Sequence, residues 1–136
     1  MSPRKPATSS RRLRSEHGSA SIELVILLPA LFAVMFFGMQ AALYYHARTI
    51  AIAAAEEGAR AAGAEHGGEA DGVAAATTFL ETAGGDDVVQ HGSATAHRTL
   101  TTATVTVSGV SLSVIPGWNP TIKQSASVTV ERVTAP

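Results

Sequence analysis

The residue types that could carry chemistry are few in this chain of 136 residues. Five histidines, His17, His46, His66, His91 and His97, raise a metal site first, but no two are spaced i, i+4 on a helix and no carboxylates cluster around them. Ligation by imidazole needs three or four converging ligands, so no metal is expected. His91 and His97 could share one face of a strand, where side chains repeat every second residue. The absence of cysteine removes disulfides, thiolate metal sites, iron–sulfur clusters and thiol nucleophiles together. The glycine-rich stretch 63–72 lacks the Lys-Ser/Thr of a phosphate loop and any strand before it, and reads as a connector. No serine occupies a nucleophile elbow, and Asn119 precedes Pro120, which rules out a glycosylation sequon. Glu56 and Glu57 are neighbours, but adjacent helical residues point about 100° apart and form a solvated face rather than a shared site. The expectation is a protein without enzymatic activity and without a cofactor.

One carboxylate is awkwardly placed. Glu23 stands between Ile22 and Leu24 at the head of a long apolar run, and ionisable groups at membrane depth are costly and functional by default. A glutamate snorkelling to the interface is the bland alternative. Immediately ahead lie Gly18, Ser19, Ala20 and Ser21, at the end of a basic leader.

The elements that must position this group follow from charge and periodicity. Residues 1–18 hold five basic residues against Glu16 alone and mix Pro, Ser and Arg without apolar period, as a disordered, cytoplasmic leader would. Residues 24–45 carry no charge; as a helix they would be about 33 Å long, enough to cross a bilayer core. The basic flank places the N-terminus in the cytoplasm, and Tyr44, Tyr45, His46 and Arg48 form an interfacial belt at the other end. Pro29 should bend this helix near its start. The alanine-rich continuation, with Glu56 one turn ahead of Arg60, extends the helix over about 19–64.

Residues 65–136 then form a small extracytoplasmic domain. Val73, Ala76, Phe79 and Leu80 recur at helical spacing in a short second helix. Thr102–Val107 alternates Thr with Ala103, Val105 and Val107, and Ser125–Glu131 alternates polar residues with Ala126, Val128 and Val130, giving two half-buried strands. Val110, Leu112 and Val114 continue the alternation up to a loop of Pro116, Gly117, Trp118, Asn119 and Pro120. The fold class is α+β: a long N-terminal transmembrane helix, a short helix and a small antiparallel sheet. After residue 45 the only aromatic residues are Phe79 and Trp118, so the domain should lean on a neighbouring helix or partner for its core.

A basic leader, a glycine, four residues, a glutamate and an apolar helix is the type IV prepilin pattern. The stretch 18–63 further resembles the TadE family of pseudopilins from tight-adherence (Flp) pilus systems, through its Gly18-Ser19 start, Glu23, Leu28-Pro29 and the Glu56-Glu57-Gly58-Ala59-Arg60 block. The resemblance implies a pilin-like fold, cleavage after Gly18 by a prepilin peptidase, Ser19 as the new N-terminus and Glu23 as the processing or assembly glutamate. The partners it implies are that peptidase, other pilin-like subunits, the inner-membrane platform proteins of the pilus and the membrane itself. The outer domain is larger than that of a major pilin, which favours a minor, pilin-like role.

Two other readings of the N-terminus fit less well. A secretory signal has an apolar core of roughly 7–15 residues before a small-residue cleavage site such as Ala51-Ile52-Ala53, and this run is longer. Ser10-Arg11-Arg12 hints at a twin-arginine signal, but the segment after it is too hydrophobic. No basic stripe survives beyond residue 18, so nucleic acid is not an expected partner. The alternative function is a membrane-anchored extracytoplasmic module that binds or contacts the envelope without a pilus role.

Overall fold

The computed structural model describes residues 1–3 and 16–132. The expected disordered leader lies, for residues 4–15, outside the described residues. The chain divides into two compact units, residues 1–37 and 38–136. Helix α1 (Glu16–Gly63) begins in the first.

In the first unit, Ile22, Leu24, Val25, Leu27, Leu31 and Phe37 are among many large apolar side chains that are exposed. A helix apolar on all sides is one that needs lipid or protein around it. Pro29 lies within α1, whose helical assignment runs through it. The helix starts at Glu16, three residues before the start at about residue 19 that the sequence predicts, so Gly18 and Ser19 are both helical. Residues at a helix start lack intrahelical partners for their N–H groups, which makes this first turn the easiest to unwind.

The second unit comprises the rest of α1, α2 (Glu69–Thr82), a single 3₁₀ turn over Gly85–Asp87, and strands β1 (Val89–Arg98), β2 (Thr102–Ser111) and β3 (Thr121–Thr129). Helix α2 is preceded by Gly68 as its N-cap, whose N–H is taken by the Asp71 carboxylate at 2.8 Å, and Glu69 and Asp71 suit the positive end of its dipole. The buried stripe of α1 is almost entirely alanine: Ala47, Ala51, Ala54, Ala55, Ala59 and Ala62. Small residues are required there because two elements crowd the helix. A Cβ on Gly58 would lie 2.7 Å from the Gly72 carbonyl of α2 and 2.9 Å from Cγ1 of Val105. The innermost residues of α2 are accordingly Gly72, Ala76 and Leu80, with Phe79 packed at the margin and Gly72 in place of the expected Val73.

The sheet is antiparallel in the order β1-β2-β3. Its inner face presents Ala103, Val105, Val107 and Ile122, fully buried, with Ala94, Ala96, Ala126 and Val128 around them. The outer face is hydroxylated, and Thr104–Ser127 and Thr106–Ser125 pair at 2.7 Å across β2 and β3. The second unit thus draws its core from the alanine face of α1, as the scarcity of large side chains required.

Two features depart from the sequence reading. Strand β1 is an element that alternation does not reveal, since its inward residues are mostly alanine and a bulge between Gln90 and Ser93 breaks its period. The expectation that Val110, Leu112 and Val114 continue the buried series of β2 is corrected: the odd-numbered face stays inward to Gly109 and Ser111. Gly109 faces inward because Val89 fills its place, with Cγ1 2.4 Å from where a Cβ would stand.

Candidate functional site

Glu23 lies on an exposed stretch of α1, at the edge of a shallow surface hollow that it forms with Ala20, Leu24 and Leu27. Among the described residues no basic side chain pairs with it. Gly18 is exposed five residues earlier, with nothing near the position of a Cβ. Ser19 stands four residues before Glu23, the spacing at which helical neighbours meet. A cut after Gly18 would therefore create an α-amine, of ordinary pKa about 8 and mostly cationic at neutral pH, one turn from this carboxylate. Apolar walls and one carboxylate give this patch the means to dock a helix or pair with an amine.

The Glu56–Arg60 block is resolved into two roles. Glu56 and Glu57 are exposed and both pair with Arg60, at 3.5 and 2.7 Å, which makes a solvated ion-pair cluster of small energetic weight. Gly58 and Ala59 point the other way and are buried, Gly58 at the crossing with α2. The glutamates therefore do not form a carboxylate site, and the block serves the packing of the second unit.

Two polar residues that sequence reasoning passed over organise this unit. Gln40, inside the uncharged run, is only 2% exposed. Its Nε2 donates to the Leu112 carbonyl at 3.2 Å, while its Oε1 accepts from the Val114 N–H at 2.9 Å and the Ser113 hydroxyl at 3.1 Å. This is why Leu112 and Val114 leave the sheet: a helix side chain replaces their strand partners. Arg98, at the end of β1, donates through Nη1 to the carbonyls of Ala62 (2.5 Å), Ala64 (3.1 Å) and Gly67. These oxygens belong to the end of α1 and the turn after it, where carbonyls lack helical partners and the dipole favours a cation. The Arg98 N–H in turn donates to Glu69 at 2.8 Å. A lone Gln in an apolar run and a lone Arg in a strand were the only signals in the sequence.

The four histidines from His46 onward do not converge. His46, His66, His91 and His97 are exposed, and the described residues contain no group of three or more His, Asp or Glu placed to hold an ion. His91 sits in the β1 bulge with φ of 52°, its N–H bound to Asp86 at 3.1 Å, so it does not keep strand alternation with His97. His97 approaches Glu69 at 3.5 Å.

These features define a class: an α+β protein whose one N-terminal helix is long and apolar enough to cross a membrane, as membrane anchoring requires. Residues 18–60 match the family model described as TadE-like protein. The match begins at Gly18, includes Glu23 and Pro29 and ends at Arg60; α2 and the sheet lie outside it. No curated protein and no solved structure matches the chain.

Proposed function

We propose that this protein is a TadE-like pseudopilin: a structural or assembly subunit of a Flp-type tight-adherence pilus or related secretion system, held in the membrane by α1. The observation that carries the reading is the family match over residues 18–60, which opens on Gly18 and takes in Glu23. The exposed apolar surface of α1 supports the anchor, and the basic residues before Gly18 favour a cytoplasmic N-terminus with residues 65–136 outside. In this reading a prepilin peptidase cuts after Gly18 and Ser19 becomes the N-terminus. Glu23 then meets the new amine in its own chain or in a neighbouring pilin-like subunit, where desolvation makes an unpaired partner costly. The subunit performs no catalysis; it contributes a helix to an assembly that includes the platform proteins.

Maturation tests this directly. Intact-mass and N-terminal analysis of the protein from its native host should place Ser19 first, and Gly18→Leu should accumulate precursor. An unprocessed N-terminus would favour an anchored envelope-contact module, and one beginning near Glu56 a cleaved signal.

A further inference from the structure

We propose that the loop joining β2 and β3 seats Trp118 in the headgroup layer of the bilayer that α1 crosses, so that the outer domain grips the membrane surface at a second point. This rests on the reading of α1 as a membrane anchor. Large apolar side chains are exposed along α1 from Ile22 to Met39, and the next residue, Gln40, is covered by residues 112–114. A side chain covered by protein does not face lipid. Residues 22–39 rise about 27 Å as a helix, against a hydrocarbon core of about 30 Å, so the outer edge of the core falls beside Gln40.

Strand β2 carries the loop to this level. Its beginning lies at the end of α1: a Cβ on Gly63 would touch Val128, which pairs with Ala103, and Glu131 donates its N–H to the Gly63 carbonyl. Its other end, Ser111, is followed at once by the residues bound to Gln40. The strand therefore runs along α1 toward Gln40, and the loop leaves it there. The Ser111 N–H donates to the Pro120 carbonyl at 2.9 Å and closes the base; the Trp118 N–H donates to Ile115 at 3.2 Å and, with Gly117 at φ 78°, shapes the tip.

The chemistry of the tip suits a lipid headgroup layer. Residues 112–120 contain no charged side chain, so nothing in the loop resists partial dehydration. Trp118 is 48% exposed, and an indole has an apolar body with one N–H donor, the combination that favours the membrane–water interface. Tyr45, 61% exposed, stands six residues beyond Met39, about 9 Å along the helix, where a phenol would meet the same layer. The hairpin at the opposite end of the sheet, with exposed Leu100, faces away from this level.

Trp118 is the only tryptophan, so its fluorescence reports on the loop without labelling. The full chain is reconstituted into phosphatidylcholine vesicles that carry a nitroxide either at the headgroup or deep in the acyl chains, and acrylamide is titrated separately. The expected result is loss of most emission to the headgroup nitroxide, little loss to the deep one, and protection from acrylamide. Free quenching by acrylamide in vesicle-bound protein, with no effect of either lipid label, would overturn the proposal while leaving the anchor intact. Protection from all three quenchers would also overturn it, and would assign the loop to a protein partner or a second copy. Failure of the chain to co-sediment with vesicles would remove the anchor reading, and this inference with it.

Discussion

Replacing Gln40 by leucine separates two accounts of the uncharged run. If Gln40 faced lipid, an apolar residue of similar volume would be neutral or stabilising. In the structure it is buried and makes three hydrogen bonds to residues 112–114, 72 to 74 positions away. Leucine leaves the Val114 N–H without a partner; the Leu112 carbonyl keeps the Ser111 hydroxyl at 3.1 Å, and the Ser113 hydroxyl keeps Ile115 at 2.9 Å. An unsatisfied buried group costs about 1–3 kcal/mol, and the one such group is the half-buried Val114 N–H, with two further hydrogen bonds weakened. Part of that loss is offset by burying the leucine side chain, leaving a destabilisation of about 1 kcal/mol. For a unit of this size the melting temperature should fall by roughly 4–8 °C. The assay is thermal and urea unfolding of the full chain in detergent micelles, followed by Trp118 fluorescence. A control fixes the sign: Gln40→Glu retains an acceptor for Val114 but sets a carboxylate near the Leu112 oxygen. That variant should therefore keep the Val114 bond and still be less stable than the wild type. Unchanged or increased stability of Gln40→Leu would refute the reasoning.

Arg98→Ala should cost about 2 kcal/mol in urea unfolding, since a charged donor to three carbonyls at the end of α1 is lost; hydrogen exchange should speed up over residues 62–68 before the sheet is affected. Gly58→Val should destabilise by at least about 1–3 kcal/mol, because its Cβ would strike the Gly72 backbone, whereas Arg60→Ala two residues on should change unfolding by under about 1 kcal/mol. Glu23→Ala should remain in the membrane fraction but lose co-purification with pilin-like subunits; normal recovery of those partners would reduce Glu23 to an interfacial residue.

Features that repeat locally are legible in the residues alone. The uninterrupted apolar run specified a helix long enough for a bilayer, the Gly18–Glu23 spacing and the Glu56–Arg60 block carried the resemblance and fall within the segment that matches the family model, and the Thr/Val alternation announced β2 and β3. Each signal is complete within a few turns or a few alternations, because periodic burial of one face needs no knowledge of what covers it. Tertiary structure alone decided the rest. Strand β1 has too little apolar contrast to declare itself and exists as a strand because β2 supplies its partners through a bulged register. The inward face of β2 kept its parity at Gly109 because Val89, from another strand, needed that space. Gln40 and Arg98 became fixed points only when partners 72–74 and 31–36 residues away were brought to them. A polar side chain shows its type in the sequence, but whether it meets water, lipid or a waiting carbonyl depends on contacts that only folding creates.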